Sequence, residues 1–367
     1  MDELRRRSSP PEIKWLGGHR GLERRIVTAA GLPVRRLALR SLRSAERDIH
    51  LVLDPLRLGL SVPQAVAILA RTRPAAIFTT GGYVAIPVLI AARVLRIPTL
   101  LWEGNVVPGR SVRATAGLAE AIAVSFGATC AALGRVPAGG RGCLETGTPI
   151  RDIGAIDRLA ARRTLGLGGG DRMVLVFGGS QAVRRLNEAV AASLAAAVER
   201  VHLVHMTGDA GYAAALANRE GLAPELRARY RPSPFLGDEL LTALAAADLL
   251  VGRAGSSTLA EAAAFGLPMV LVPYPHAAGH QRRNAEVLAA AGAARIVDDA
   301  DFDGTALLDA ISILEEPGVH LEMSAAARAL GRPGAARAIA TLLLAPATGD
   351  PLPDQAEVTR ISTGRGA

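Results

Sequence analysis

The feature that most constrains the fold of this chain is a repeated alternation of short, wholly apolar runs with longer segments of helical periodicity. Apolar runs of strand length without polar alternate positions are typical of parallel strands, because helices cover both faces of such a sheet. Repeated strand–helix units therefore predict a doubly wound α/β fold. The predicted strands cover residues 13–16, 75–79, 99–102, 121–125, 173–177, 202–206, 249–251, 269–272 and 294–297.

The strand–helix pattern begins a second time at Met173, after a basic helix and a glycine-rich connector over 166–171. A length of 367 residues suits two domains of this kind. We predict an N-terminal domain over 1–154 and a C-terminal domain over 155–347, whose last helix can return to the N-terminal domain. Residues 348–367 are polar and lack periodicity, which predicts a disordered tail.

Ligands of open α/β sheets bind at the carboxyl ends of the strands. Two such domains therefore predict a cleft between them as the place of the binding site.

Composition narrows the classes of partner. A net charge of +8 favours anionic partners such as phosphorylated substrates or an anionic membrane surface. The arginines are dispersed and aromatic residues make up only 3%, so no nucleic-acid partner is predicted. Cys130 and Cys143 lack metal-ligand spacing, which predicts two core cysteines in a reducing compartment and no metal site. No apolar stretch reaches the ~20 residues of a membrane-spanning helix, and no secretory signal is present, so we expect a cytoplasmic protein touching a membrane.

The strongest local signal is the sequence VLVFGGSQ over 174–181, which precedes a helical segment. Glycines allow a close approach of the backbone, the helix N-terminus offers free N–H groups, and Ser180 adds a hydroxyl donor. This pattern is typical of a phosphate-binding loop. The same residues also fit a tight strand-to-helix turn with an N-cap, and the sequence leaves both interpretations open.

A second strand enters a helix through the small, hydroxyl-rich sequence GRAGSSTLAE over 252–261. Thr258 and Glu261 have the spacing of a capping box, while Glu261 is also placed to accept the hydroxyls of a ribose. A third helix begins near His280, and its Gln281 and Asn284 share one helix face. Their amides suit sugar hydroxyls, since an amide both donates and accepts hydrogen bonds.

In the N-terminal half, Gly81, Gly82 and Tyr83 follow a strand and precede a helix, which predicts another phosphate cradle. The next strand ends in the polar sequence WEGNVVPG over 102–109. Glu103 is a candidate acid or base, but the sequence shows no partner that would tune it, so a structural salt bridge is favoured.

These segments, in this order, resemble the MurG family of lipid-linked N-acetylglucosaminyltransferases. The family has GGY, HEQN-x-x-PG, GN-P-x-R, GGSQG, SG-A-x-T-x-x-E and HQ-x-x-N-A motifs. The corresponding segments here are 81–83, 102–109, 147–151, 178–181, 254–261 and 280–285. The resemblance implies the GT-B architecture and metal-free, cofactor-free transfer that inverts the anomeric centre.

The resemblance also implies the substrates and their sites. The donor would be UDP-N-acetylglucosamine, with Leu236 near the uracil. The acceptor would be lipid I, a polyprenyl diphosphate carrying the muramyl peptide, bound at the cytoplasmic face of the plasma membrane. Its diphosphate would lie near Gly81, Gly82 and Tyr83. The donor-binding residues carried over from the family are Asn105, Arg151, Ser180, Gln181, Ser256, Ser257, Thr258, Glu261, Gln281 and Asn284.

The chain departs from the family at several positions. The family's first motif is a GGTGGH loop whose histidine is the expected base, and no such loop precedes Trp15. His19 follows two glycines, but its context matches the family's second strand, so we interpret it as a coincidence and leave the base unassigned. We expect that the chain begins too late and lacks a first strand and loop. Further departures are Trp102, Gly104, Thr148 and Ala182 in place of His, Gln, Asn and Gly.

Two alternatives remain at this point. A catalytically inactive homologue would bind UDP-N-acetylglucosamine without transferring the sugar. A transferase of the same fold could use another lipid acceptor, which the sequence hardly specifies. A sugar-nucleotide epimerase would need acidic residues on both faces of the sugar, and the sequence offers no such set.

Overall fold

The structure is a computed structural model, and it describes residues 2–17, 27–37, 39, 50–134, 142–178, 184–277 and 279–364. For residues 50–56 it describes the backbone alone. The sequence-predicted residues Ser180 and Gln181 lie outside the described part of the chain, as do His19 and Ala182.

The chain divides into two compact units, Met1–Gly147 with Gly334–Ala367, and Thr148–Pro333. The first boundary between the two units falls after Gly147, whereas the sequence pattern placed the domain boundary after residue 154. We call the two parts unit 1 and unit 2.

Unit 1 contains parallel strands with helices between them. Its strands are β1 Trp15–Gly17, β2 Val34–Arg36, β3 Ile77–Thr79, β4 Thr99–Glu103, β5 Ala121–Val124 and β6 Cys143–Glu145. Its helices are α1 Asp2–Arg5, α2 His50–Thr72, α3 Ala85–Leu95, α4 Arg110–Thr115 and α5 Ala128–Ala132. Strands β1 and β2 form one parallel pair, and β3, β4, β5 and β6 form a second parallel sheet in chain order. Leu16 of β1 and Ile77 of β3 both pack on one apolar cluster that includes Leu69 and Val88.

Unit 2 has a single six-stranded parallel sheet. Its strands are β7 Met173–Phe177, β8 His202–Met206, β9 Tyr230–Ser233, β10 Leu249–Gly252, β11 Met269–Leu271 and β12 Ala294–Ile296. Its helices are α6 Arg158–Thr164, α7 Arg184–Arg200, α8 Asp209–Glu220, α9 Glu239–Ala246, α10 Ser256–Phe265, α11 His280–Ala290, α12 Gly304–Ser312 and α13 Pro317–Leu330.

The strand order of unit 2 is β12-β11-β10-β7-β8-β9. From β7 the chain moves outward through β8 to β9 and then returns to β10 on the other side of β7. The order in which the chain adds strands therefore changes direction between β7 and β10, although all strands stay parallel. Doubly wound sheets bind ligands at this switch point. Every residue of β7 is buried, which explains why its sequence is apolar throughout.

The last two helices complete unit 1 rather than unit 2. Helix α14, Ala335–Thr348, packs on the unit 1 sheet through Ala338, Ile339 and Leu342. Helix α15, Gln355–Thr363, follows it, and its Val358 is fully buried in the same cluster. The prediction of a disordered tail is therefore wrong for residues 355–363, because a short amphipathic segment finds an apolar surface that the sequence alone does not reveal.

Helix α15 also covers the edge of strand β6. The Gln355 side chain accepts from Glu145 N at 2.8 Å and donates to Glu145 O at 3.1 Å. One amide thus replaces the hydrogen bonds of a neighbouring strand at this edge.

The prediction of two unpaired cysteines is wrong, since Cys130 of α5 and Cys143 of β6 form a disulfide with Cα atoms 5.6 Å apart. The two residues are separated by 13 positions in sequence and meet because the fold places both in one apolar cluster. Within the described residues, no helix has both the length and the apolar character needed to cross a membrane.

Candidate functional site

The carboxyl end of β10 leads directly into α10 and forms the centre of the candidate site in unit 2. A β-carbon at Gly252 would lie 2.3 Å from Phe177 O, so only glycine allows β10 to run this close to β7. Helix α10 begins at Ser256 with Gly255 as its N-cap, and no side chain caps it. The first turn therefore consists of Ser256, Ser257 and Thr258, whose backbone N–H groups are free of helical partners.

The capping-box interpretation of Thr258 and Glu261 is wrong, because the helix starts two residues before Thr258. The Glu261 carboxylate instead accepts a hydrogen bond from Arg151 Nε at 3.3 Å. Glu261 is largely buried, with 8% of its surface exposed. A buried carboxylate paired with a cation costs much less than an unpaired one, so Arg151 satisfies the charge of Glu261.

Arg151 joins three parts of the site. Besides its bond to Glu261, its Nη1 donates to Gly237 O at 3.2 Å. Gly237 follows Leu236, whose backbone N–H points to Met206 Sδ at 3.4 Å. The structure thus brings the predicted residues Arg151, Leu236 and Glu261 to one place.

Thr148 is a further member of this group, and the sequence reasoning noted it only as a departure. Its hydroxyl lies 2.8 Å from the hydroxyl of Ser256. The threonine is buried, so it holds Ser256 from the protein side. The sequence feature that could have indicated this role of Thr148 is its place directly after a glycine in the segment 147–151, which resembles a family motif.

Arg253 holds the loop after β11 in place through several contacts. This arginine is 4% exposed, donates to Val272 O at 2.9 Å, forms an ion pair with Asp299, and lies 5.4 Å from the Tyr274 ring centroid. Buried arginine with several partners indicates a structural clamp. The sequence reasoning missed this role because Asp299 is far from Arg253 in the chain.

The two predicted amides of α11 differ in their environment. Gln281 is partly exposed and accepts from Tyr274 N at 2.9 Å through its Oε1. Asn284 is fully buried and donates to Ala254 O at 3.3 Å. The structure therefore gives Asn284 a role in supporting the β10–α10 loop, and its burial is at odds with the prediction that it contacts the sugar directly.

A buried polar network lies beneath the first turn of α7, the helix that follows the predicted phosphate loop. His205 Nδ1 is 2.9 Å from the Tyr230 hydroxyl, and His205 Nε2 is 2.9 Å from Asn187 Oδ1. Asn187 Nδ2 donates to Thr207 O at 2.9 Å, which assigns Oδ1 as the acceptor facing the histidine. Nε2 of His205 therefore carries a proton, and in the neutral ring Nδ1 accepts from the Tyr230 hydroxyl. Burial lowers the pKa of His205 to about 4 and raises the pKa of Tyr230.

In unit 1, Glu103 organises the loop that carries Asn105. Its two oxygens accept from Asn105 N at 2.9 Å, from Asn105 Nδ2 at 3.1 Å, and from Gly109 N at 2.9 Å. The Thr129 hydroxyl donates to Asn105 O at 2.9 Å. The preference for a salt bridge at Glu103 is wrong, since among the described residues its partners are amide N–H groups. The carboxylate shapes the loop because three donors converge on it.

The other predicted cradle of unit 1 has consecutive left-handed glycines, Gly81 and Gly82, with φ of 78° and 85°. A β-carbon on Gly81 would lie 2.5 Å from Val112. The Gly81 N–H donates to Thr79 Oγ1 and the Gly82 N–H donates to Ser111 Oγ. Both amides predicted to receive a diphosphate thus have hydroxyl partners within the protein. Tyr83 lies partly buried beside them.

Comparison with known proteins follows the two-unit division. A family model described as the Glycosyltransferase family 28 N-terminal domain matches residues 1–124, and one described as its C-terminal domain matches residues 173–339. A protein of Desulforudis audaxviator is 37% identical over 93% of this chain and 91% of its own length. A protein of Nocardioides sp. is 38% identical over 90% of this chain and 88% of its own length. Both carry the name UDP-N-acetylglucosamine–N-acetylmuramyl-(pentapeptide) pyrophosphoryl-undecaprenol N-acetylglucosamine transferase.

Solved structures share the fold of this chain. The crystal structure of Acinetobacter baumannii MurG superposes with a TM-score of 0.72 at 25% identity, covering 90% of each chain. A UDP-N-acetylglucosamine 2-epimerase superposes with a TM-score of 0.62 at 16% identity, covering 96% of this chain and 92% of the other. At that identity the second likeness concerns the fold alone.

Proposed function

The chain belongs to glycosyltransferase family 28 and to its MurG transferases, and we propose from this that it transfers N-acetylglucosamine from UDP-N-acetylglucosamine to the lipid-linked muramyl-pentapeptide. The architecture is the GT-B arrangement of two Rossmann-like domains. The acceptor is a pyrophosphoryl-undecaprenol carrying the muramyl peptide, and the product is a lipid-linked disaccharide. The transfer proceeds with inversion at the anomeric carbon.

The observation that carries the donor assignment is the group of polar residues at the carboxyl end of β10. Glu261, Arg151 and the hydroxyls of the first α10 turn stand together where the order of the strands changes direction. The N–H groups of that turn and the Arg151 guanidinium suit the diphosphate, since both favour anions. The Glu261 carboxylate suits the ribose hydroxyls, and Leu236 supplies apolar surface for the base.

Each unit has a loop that presents an amide side chain suited to a sugar. Gln281 lies at the start of α11 in unit 2, and Asn105 lies in the Glu103-organised loop of unit 1. Both are partly exposed. Amides at these positions offer donors and acceptors to sugar hydroxyls.

The test is transfer of radiolabelled N-acetylglucosamine from its UDP donor to a soluble analogue of the lipid acceptor. We expect incorporation by the wild-type chain and a loss of about 10-fold to 100-fold in kcat/KM for Glu261→Ala, because a charge-assisted pair of hydrogen bonds is removed. Glu225→Ala changes an exposed glutamate of the same unit and should retain wild-type rates. UDP-N-acetylglucosamine binding without any transfer would instead favour an inactive sugar-nucleotide-binding homologue.

We also propose that unit 1 contacts an anionic membrane surface at the cytoplasmic face. Leu60 of α2 and Val94 of α3 are 69% and 67% exposed, and these two helices pack against each other. Arg71, Arg93 and Arg96 are exposed on or next to the same helices. Exposed apolar side chains and exposed arginines on the same pair of helices suit a surface that inserts shallowly and attracts anionic headgroups.

The membrane proposal is tested by vesicle sedimentation. We expect the protein to sediment with vesicles that contain phosphatidylglycerol, and the double variant Leu60→Glu, Val94→Glu to stay in the supernatant. Leu321→Glu alters an equally exposed leucine of unit 2 and should sediment like the wild type. Equal sedimentation of all three proteins would contradict the assignment of this surface.

A further inference from the structure

The ion pair between Arg151 and Glu261 engages the carboxylate to which a ribose is assigned. Glu261 lies on α10, and 10% of its side chain is exposed, against 39% for Arg151. The carboxylate is therefore held within the protein, and the guanidinium is the partner on the solvent side. A carboxylate this buried cannot lose its partner without gaining another, because an unpaired buried charge is strongly unfavourable.

The second contact of Arg151 allows it to remain at the site after leaving Glu261. Its Nη1 donates to Gly237 O, and a guanidinium has five N–H donors in a planar fork. The fork can turn toward an anion beside the α10 N-terminus while the side chain stays anchored near Gly237. Arginine suits this exchange because its fork pairs equally well with carboxylates and phosphates.

A nucleoside and a nucleoside diphosphate would face this ion pair differently. Ribose hydroxyls are neutral, so on their own they must displace a cation from Glu261 and leave that cation without an anionic partner. A diphosphate supplies a new anion for the guanidinium while the ribose hydroxyls take its place on the carboxylate. The exchange is therefore balanced in charge for the nucleotide and unbalanced for the nucleoside.

We propose that in the free protein Arg151 occupies the position on Glu261 that the ribose hydroxyls take in the complex. We infer that this ion pair makes the site selective for nucleoside diphosphates over nucleosides. The inference rests on the proposed function, because it takes the nucleotide to bind at Glu261. It adds that Arg151 opposes nucleoside binding and favours diphosphate binding, so removing it changes the two affinities in opposite directions.

The experiment compares the binding of UDP and of uridine to purified wild-type protein and to Arg151→Ala, by calorimetry for UDP and by competition for uridine. We expect Arg151→Ala to weaken UDP binding by about 10-fold to 100-fold through loss of charge-assisted bonds. We expect it to strengthen uridine binding by about fivefold, because uridine no longer has to break a partly exposed ion pair whose strength corresponds to about that factor. Arg163→Ala removes an exposed arginine of α6 and should leave both affinities unchanged.

Arg151→Gln provides a second variant if the alanine variant folds poorly, since its amide can still donate to Gly237 O without forming an ion pair. The same opposite shifts are expected for it. Uridine binding that is unchanged or weaker in these variants, while the wild type binds UDP, would overturn the inference and leave the proposed function intact. Failure of the wild type to bind UDP would overturn the proposed function and this inference together.

Discussion

The buried histidine His205 predicts a specific acid sensitivity of unit 2. Its side chain is 1% exposed, and both ring nitrogens face protein partners, Tyr230 and Asn187. Burial lowers its pKa from 6.5 to about 4. As the pH falls from 6.5 toward 4, the unfolded chain takes up a proton that the folded protein does not, so stability is lost over this window.

The magnitude follows from the shift. One pKa unit corresponds to about 1.4 kcal/mol, so the full shift contributes about 3 kcal/mol at pH 7.5. By pH 5 roughly 2 kcal/mol of this contribution is gone, because the unfolded chain is then almost fully protonated at this site. A loss of that size is a large fraction of the stability of a typical domain.

The assay is urea unfolding between pH 7.5 and pH 5 for the wild type and for His205→Gln. Both tryptophans, Trp15 and Trp102, lie in unit 1, so fluorescence follows unit 1 while far-UV circular dichroism follows both units. The variant should be less stable at pH 7.5 but should lose about 2 kcal/mol less than the wild type on acidification. His202, whose pKa burial also lowers, is present in both proteins and cancels in the difference.

Equal losses in the two proteins would refute the assignment of this acid sensitivity to His205.

Three further predictions concern the loops and edges of the fold. Glu103→Gln leaves one oxygen where two accept N–H groups, so the Asn105 loop should loosen; KM for the sugar nucleotide should rise while affinity for UDP stays unchanged, measured by steady-state transfer and calorimetry. Gly252→Ala inserts a methyl against the β7 backbone and should cost unit 2 about 1–3 kcal/mol in thermal unfolding, whereas Gly170→Ala, with open space around it, should be neutral. Gln355→Ala removes both hydrogen bonds to the β6 edge and should cost unit 1 about 1–2 kcal/mol, read from the fluorescence-detected urea midpoint.

Sequence reasoning predicted the buried strands because their environment is uniform. The runs at 173–177 and 249–251 correspond to β7 and β10, where helices on both faces demand apolar side chains at every position. Three strands were missed, namely β2, β6 and β9. Among the described strands, all three lie at sheet edges, where a strand pairs with another strand on one side only and the sequence can be polar or contain proline.

The positions of several candidate donor residues could also be predicted, because they lie between the end of a strand and the helix that follows it, or in the first turns of that helix. Parallel strands bring all their carboxyl ends to one edge, so residues that are distant in sequence gather there. Ser256 and Glu261 are at one such end, and Leu236 is at another. Arg151 was predicted at the same place from its match to a family motif.

The partners of these residues depended on the tertiary structure. Two contacts join segments that are far apart in the chain: Arg151 pairs with Glu261, and Thr148 meets Ser256. The full burial of Asn284 likewise results from packing between distant segments. A pattern of residue types along a chain specifies which groups can bond, but packing decides which of them meet. The local sequence therefore determined the buried strands and the chemistry available at their ends. Burial and pairing, which set the charge balance of the site, were determined only when the sheet brought its strand ends together.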